Sequence, residues 1–454
     1  MFDKVVVANR GAVAARILRS LHALGIRSVA VYSEADKDAP YLALAGESYR
    51  IGPPEPKGSY LNQDAILEVV RQSGADGLHP GYGFLSENHG FASRVEMSGA
   101  AFIGPSPRWL EAMGHKTRAR DLMAEHGMPM CPSSAVLGDS VEQTIAAAHG
   151  IGFPVLVKPA NGGGGIGMLP AHSEAELASA VERARSLANR SFGDSEIYLE
   201  RLLQKPRHIE FQILADKYGN VRHVFERDCS IQRRHQKVIE EASAPAVPRQ
   251  AVDATAERIR GILGRLGYDN IGTVETLFDA EVGFNFLEMN TRLQVEHAVT
   301  EEVTGLDLVA LQVQLAAGRR LADVMPEALS IKGHAIEARV YAEDPKRFFP
   351  SPGPLKVFRP PTGEAIRVET GYAEGATVTP YYDPMVAKVV AHGPTRVAAI
   401  GCLQEALANF AIEGVKTNIP FVQQVLADEQ FRAGEVHTGL TAEILARAAK
   451  SPAA

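Results

Sequence analysis

Residues 274–297 read VETLFDAEVGFNFLEMNTRLQVEH, two runs of β-like alternation around a turn at Asp279–Gly283. Folded about that turn, Glu275 falls opposite, or nearly opposite, Glu288. Facing carboxylates on neighbouring strands repel, and a divalent cation with oxygen ligands would offset that cost. If the chain stays extended past Glu288, then Asn290, Arg292, Gln294 and Glu296 lie on one face. Such a face would offer metal ligands, a cation for an anion and a carboxylate base. Leu287, Met289, Leu293 and Val295 would point inward. The rival reading is a solvated hairpin with paired charges; Phe284, Phe286 and Leu287 argue for a strand too buried for idle charge.

A second group surrounds Lys158-Pro-Ala-Asn-Gly162-Gly163-Gly164-Gly165-Ile166-Gly167. It matches neither a P-loop nor a well-placed Rossmann fingerprint. Consecutive glycines let backbone N–H groups close over a phosphate and let the loop move as a lid. The alternative is a surface linker, against which Lys158 ends an apolar strand. Lys116 and Lys158 suit phosphates as point charges, although each alone also reads as a solvated lysine. Glu200 ends a strand and can accept from an exocyclic amine. Gln232-Arg-Arg-His235-Gln-Lys237 reads either as a basic surface loop or as a phosphate or bicarbonate contact. His208 shares a strand face with Glu210 and Gln212 and equally suits a structural role. Arg339, in an apolar strand, needs a planar anion or a carboxylate such as Glu337.

Elements that position these groups follow from periodicity. Strands at Lys4–Ala8, Ser28–Tyr32, Gly77–His79 and Ala101–Ile103 alternate with helices at Ala12–Ala23 and Asp64–Ser73, the pattern of a parallel α/β sheet. Ligands in such sheets sit beyond the strand C-termini, here Asn9–Gly11 and His79–Asn88. A helix at Lys116–His126 precedes a small α/β segment: strand Val155–Lys158, helix Glu174–Asn189 and strand Glu196–Glu200. An antiparallel stretch follows (His208–Leu214, Val221–Glu226), then a helix at Val252–Leu266, the hairpin and a helix at Gly305–Ala317. Strands at Ala335–Tyr341, Leu355–Arg359, Ala365–Glu369 and Met385–Ala391 and helices at Arg396–Asn409 and Pro420–Asp428 complete the chain; Arg447–Ala454 reads as frayed.

The 454 residues suit about three domains. A net charge of −7 lends no support to a nucleic-acid partner. Cys131, Cys229 and Cys402 lack metal spacing and suit a reducing compartment. No secretory signal and no apolar run of about 20 residues is apparent, so a cytoplasmic protein without a membrane span is expected.

With these pieces placed, the chain resembles biotin carboxylase of the ATP-grasp superfamily from end to end. The matching motifs are Val7–Gly11, His79–Asn88, Glu226–Ser230 with Gln232–Lys237, Glu288–Arg292 with Gln294–His297, Tyr381–Asp383 and Gly414–Asn418. The resemblance implies an α/β protein, α+β in its centre. Residues 1–114 would form a Rossmann-like domain and 115–330 an ATP-grasp domain with a mobile lid at about 131–203. Residues 331–446 would form a mixed α/β C-terminal domain, with 447–454 as its tail. It implies an ATP-dependent carbon–nitrogen ligase that makes carboxyphosphate from ATP and bicarbonate and carboxylates biotin. On this sequence Lys116, Lys158, Gly163, Gly164, Gly165, Glu200, His208, Gln232 and His235 would hold ATP, with Glu275 and Glu288. Glu275, Glu288 and Asn290 would bind Mg2+ or Mn2+. Lys237, Arg292, Gln294 and Val295 would position bicarbonate, with Glu296 as base. Arg339 would stabilise the biotin enolate, and Tyr82 and Gly83 would border the biotin ring.

Departures from the family pattern are Ile166 for a usual Arg, Ala12 for Glu, Ala298 for Pro, Ser243 and Ala246 for Pro and Gly, and a hairpin one residue longer. With no Ala-Met-Lys-Met site and no carboxyltransferase region, biotin is expected on a separate biotin carboxyl carrier protein or domain, and the acceptor on a carboxyltransferase subunit. The reading is the biotin carboxylase subunit of an acetyl- or propionyl-CoA type carboxylase, in fatty acid metabolism. Its variant is a two-subunit pyruvate carboxylase. Competing readings are an ATP-grasp ligase for another carboxylate and a non-catalytic scaffold. A homodimer is expected by resemblance, Arg19 and Arg367 being present.

Overall fold

The computed structural model describes residues 1–160 and 167–450. Gly163, Gly164, Gly165 and Ile166 of the expected phosphate loop, and residues 451–454, lie outside them. The first sheet is parallel, in the order Glu47–Gly52, Arg27–Ser33, Lys4–Val7, Gly77–His79, Ala101–Phe102. Its central strand is buried on both faces, as its unbroken apolar run requires. Val5 and Val7 pack with helix Gly11–Ala23 on one side; Val6 packs with helices Gln63–Ser73 and His89–Met97 on the other. At the strand C-termini Asn9 Nδ2 donates to the carbonyls of Pro80 (2.7 Å) and Tyr82 (2.8 Å), joining the two loops where a ligand is expected.

The second sheet has eight antiparallel strands: Gly283–Asn290, Asn270–Asp279, Arg207–Ala215, Val221–Arg233, Gln236–Ala242, His334–Tyr341, Met385–Gly393 and Ile366–Glu369. Gln236–Ala242 bonds directly to His334–Tyr341, so one sheet crosses the domain boundary expected between residues 330 and 331. The basic run expected as a loop is instead a hairpin whose turn residues, Arg234 and His235, both have positive φ (50° and 65°). Helices Arg249–Leu266 and Pro107–Gly114 cover the first part of this sheet, burying Trp109, Ile259 and Ile262 against Phe211 and Val274. Helices Arg396–Ala408 and Ile419–Ala427 share a core with the last part.

A separate three-stranded sheet (Leu169–Ala171, Val155–Pro159, Ile197–Arg201) with helices Val141–Ile151 and Glu174–Phe192 has its own core of Val155, Val157, Leu177, Ala184, Ile197 and Leu199. The helix expected at Gly305–Ala317 is observed over Leu308–Ala316, and a further helix, His297–Thr304, not expected from the sequence, precedes it and ends at Gly305 (φ 72°). One expectation is corrected. The tail expected to fray from Arg447 is helical through Lys450, with Leu440 and Ile444 buried and Arg447 2.5 Å from Asp428. No helix among the described residues is long and apolar enough to cross a membrane.

Candidate active site

The hairpin pairs Glu275 with Glu288, and the next ladders pair Glu275 with Glu210 and Glu210 with Arg227. Three carboxylates therefore stand in one row across three strands, with Arg227 on the fourth. A bulge at Leu287 absorbs one residue of the hairpin, so Glu275 still faces Glu288 and Leu287 is only half-buried. The sequence pointed to a metal as the group that offsets this repulsion, but side-chain cations also do so. Arg227 Nε lies 2.5 Å from Glu210, His208 Nε2 2.9 Å from Glu275, and Lys116 Nζ 2.9 Å from Glu288. Lys237 Nζ touches Glu210 (2.6 Å), Glu275 (2.8 Å) and Glu296 (2.6 Å). Burial alone would raise the Glu275 carboxyl, yet Lys237 and His208 hold it well below the usual range.

Glu275, Glu288 and Asn290 share this face, and their oxygens suit a hard divalent cation. Asn290 Nδ2 donates to Glu275 Oε1 (2.9 Å) and its Oδ1 accepts from Arg292 (2.9 Å). His208, Glu210 and Glu275 also bring potential donor atoms within 4.8 Å of one another. The set therefore fits a metal ion chemically.

Beyond Asn290 the chain does not stay extended. The strand ends there, and residues 291–296 turn into the helix His297–Thr304. The even-numbered side chains converge nonetheless, through hydrogen bonds instead of strand periodicity. Arg292 Nη1 donates to Gln294 Oε1 (3.0 Å), and Gln294 Nε2 donates to Glu275 Oε1 (3.1 Å). Met289 and Leu293 are buried as expected, and Val295 is half-buried. Arg292 is also held by Glu87 (2.8 Å), and the Val295 carbonyl accepts from Lys388.

Glu296 is fully buried between two cations, Lys237 on Oε1 and Arg339 Nη2 on Oε2 (2.9 Å). Burial opposes its ionisation, but Lys237, Arg339 and Arg227 outweigh burial and hold the carboxyl well below its ordinary range. Arg339 does not pair with Glu337, as one reading of the strand allowed; its Nε reaches Glu240 (2.6 Å). Glu240 and Glu337 face each other across the ladder, both fully buried. Burial pushes Glu240 up to about 7 against the pull of Arg339, and Glu337 up to about 8 against that of Lys388. Fully buried Lys388 lies 2.8 Å from Glu369 and 3.4 Å from Glu337.

Lys158 Nζ and Arg120 Nη1 both hold Glu200, at 2.9 and 2.7 Å. Gln232 Nε2 lies 2.9 Å from His208 Nδ1, while His235 is exposed at the hairpin tip. Tyr82, Gly83, Arg292, Val295 and Arg339 line one cavity of about 520 Å³. One cavity thus joins Arg292 and Val295, two of the four residues expected around bicarbonate, to those expected around biotin.

Three family models match nearly the whole chain: biotin carboxylase N-terminal domain at residues 1–110, carbamoyl-phosphate synthase L chain ATP-binding domain at 115–324 and biotin carboxylase C-terminal domain at 337–443. Biotin carboxylase of Halalkalibacterium halodurans is 49% identical over 438 residues, covering 96% of this chain and 97% of its own. The chain belongs to the biotin carboxylase family. A pyruvate carboxylase subunit of Methanothermobacter thermautotrophicus is 45% identical over 439 residues, covering 96% of this chain and 89% of its own. The biotin carboxylase domain dimer of Hydrogenobacter thermophilus 2-oxoglutarate carboxylase, crystallised with MgADP, ADP and bicarbonate, superposes with a TM-score of 0.92 at 41% identity, covering 98% and 99% of the two chains. The activity is that of a biotin carboxylase, an ATP-dependent ligase using ATP and bicarbonate.

Within the biotin carboxylase frame, two departures from the family pattern have a structural reading. Ala298 lies in the first turn of its helix, where alanine and proline both fit. Ala246 adopts φ 54°, a left-handed conformation that a glycine takes without strain. Residues missed from sequence are Glu87, Arg120, Glu240 and Lys388, and Glu337 was read only as a partner for Arg339. Glu87 lies inside the His79–Asn88 motif, and Lys388 sits in an apolar strand as Arg339 does.

Proposed function

We propose that this biotin carboxylase is the carboxylase component of an acyl-CoA carboxylase of acetyl- or propionyl-CoA type, acting on biotin carried by a separate protein. The observation that carries the site assignment is Glu296, buried between Lys237 and Arg339 beside the cavity of Tyr82 and Gly83. In this reading Lys237, Arg292, Gln294 and the Val295 backbone hold bicarbonate. Glu296 removes its proton as an oxygen attacks the γ-phosphorus of ATP and ADP leaves. Carboxyphosphate splits to CO2 and phosphate, the phosphate takes the biotin N1 proton, and the nitrogen attacks CO2. Arg339 stabilises the enolate where charge develops. Lys116, Lys158, Gly163, Gly164, Gly165, Glu200, His208, Gln232 and His235 bind ATP. Glu275, Glu288 and Asn290 hold a divalent cation, which neutralises phosphate charge when bound.

Residues 1–114, 115–330 and 331–446 act as the three domains, and the independent core within 131–203 supports a lid. Arg16, Arg19, Asp307 and Arg367 line a polar cavity of about 510 Å³, which supports a homodimer contact on that face. Partners are a biotin carboxyl carrier and a carboxyltransferase. The cytoplasm suits three unpaired cysteines.

ATP hydrolysis by the purified chain with Mg2+, with and without bicarbonate and free biotin, tests the reading. Turnover that requires bicarbonate, rises with biotin and falls about 10²–10⁴-fold in Glu296→Gln is expected. Turnover independent of bicarbonate refutes it. The pyruvate carboxylase variant, favoured by the 45% identical Methanothermobacter relative, is separated by reconstitution with acyl-CoA or pyruvate carboxyltransferases.

A further inference from the structure

We propose that Glu240 and Glu337 form a proton-sharing carboxyl pair that positions Arg339 and sets the charge it presents to the substrate. The inference rests on Arg339 acting in biotin carboxylation. Glu240 and Glu337 are direct partners in the antiparallel ladder, and neither is exposed to solvent. Glu240 Oε1 accepts from Arg339 Nε (2.6 Å), but Glu240 Oε2 and both Glu337 oxygens find no hydrogen-bond donor among the described residues. Glu337 Oε2 has only the ammonium of Lys388, 3.4 Å away; carboxylate oxygens so poorly partnered at one dry contact are costly, and opposed carboxylates there do not both stay ionised. One proton between Glu240 Oε2 and Glu337 removes one of the two charges and gives one oxygen of each residue a partner, leaving the other Glu337 oxygen to Lys388.

The surroundings require that proton as well. Facing the pair are Lys237 on Glu240's own strand, Cys229 on the strand beside it, Glu296 before its helix, Arg339 and Tyr341 on Glu337's own strand, Lys388 and Glu369 on the strands beyond, and Tyr82 from the N-terminal loop. Of the cations, Lys237 already serves Glu210 and Glu275, and Lys388 lies nearer Glu369 than Glu337. With the proton in place, Arg339 faces one negative charge from the pair and keeps positive potential for the enolate. When the proton is lost, a second carboxylate cancels that potential. Glu337 titrates up to about 8, so this loss falls on the alkaline side of neutrality.

The test is the pH profile of biotin-stimulated ATP turnover for the parent, Glu337→Gln and Glu337→Asp. Bicarbonate-dependent turnover without biotin is measured alongside as the basal rate. The parent and Glu337→Asp are expected to lose biotin stimulation through one ionisation above neutral pH. Glu337→Gln, fixed in the neutral form, is expected to match the parent below neutrality, to exceed it about tenfold on the alkaline side, and to keep its basal rate. Superimposable parent and Glu337→Gln profiles overturn the proposal. Infrared titration supplies a readout independent of turnover: a protonated-carboxyl carbonyl band in the parent that vanishes on raising pH. If Glu337→Gln fails to fold, or if the parent shows no biotin stimulation at all, this band decides. Its absence at neutral pH overturns the shared proton, whereas missing stimulation with the band present overturns only the carboxylation reading.

Discussion

Replacing Lys237 by methionine removes the ammonium shared by three buried glutamates. Its contacts are 2.6, 2.8 and 2.6 Å long, to Glu210, Glu275 and Glu296. At an effective dielectric of about 20, a charge pair at about 3 Å is worth roughly 5 kcal/mol before desolvation. Regained solvation of the parts offsets most of the sum, and the expected net loss is about 3–5 kcal/mol. The pH dependence gives the signature. In the parent, Glu275 and Glu296 have depressed carboxyls, whose stabilisation is fully present above the unfolded value of about 4.3 and is lost as pH falls through their folded values. In the variant that contribution is reduced, and burial with less compensation raises the folded values. The difference between the proteins should therefore be widest near about pH 8 and narrow towards about pH 5. Urea unfolding followed by Trp109 fluorescence reads this directly. Trp109 is the sole tryptophan, buried in the core behind the sheet that bears the site. Millimolar Mg2+ should recover more stability in the variant than in the parent, because Glu275 has lost its ammonium. A loss below about 1 kcal/mol, the scale of an exposed pair, with no Mg2+ response would refute the reasoning.

Arg339→Gln should lower biotin-stimulated turnover about 10²–10³-fold while lowering the bicarbonate-only rate far less, as steady-state ATP hydrolysis will show. Glu200→Gln leaves Arg120 and Lys158 without their shared carboxylate; ATP affinity measured by calorimetry should fall about tenfold, near 1.4 kcal/mol. Lys388→Met strips the Val295 carbonyl and Glu369 of a buried ammonium, so a destabilisation of about 3–5 kcal/mol and a raised KM for bicarbonate are expected. Ala246→Gly relieves a left-handed alanine and should raise stability by about 0.5–1 kcal/mol in thermal unfolding, with turnover unchanged.

The carboxylate pair of the hairpin was legible because strand alternation and one turn decide which residues face each other. Glu275 and Glu288 needed only those two facts. The path from Asn290 to Glu296 could be placed only on the condition that the chain stays extended, and it does not: period-2 reasoning cannot see where a strand stops, and hydrogen bonds from Arg292 and Gln294 do the gathering instead. The Arg234–His235 turn was hidden because neither residue is a usual left-handed former. Glu240, Lys388 and the pairing of Glu337 with Glu240 were invisible for a different reason. Their meaning depends on which strands lie side by side in an eight-stranded sheet, and no local pattern specifies that order. The apolar neighbours of Lys388 were the one available hint, since a lysine in such a strand needs a partner.

The row of acids running from Glu210 to Glu288 has a consequence for how the enzyme loads. Each acid already has a resident cation: Arg227, Lys237, His208 or Lys116. On the proposed site, a metal ion arriving alone would have to displace these cations and leave them unpaired, so little free energy would remain to bind it. A metal arriving with a nucleotide would bring phosphates able to take up the displaced lysines. Loading would then be a swap of partners rather than the filling of a hole, with the metal binding far better beside the triphosphate than by itself.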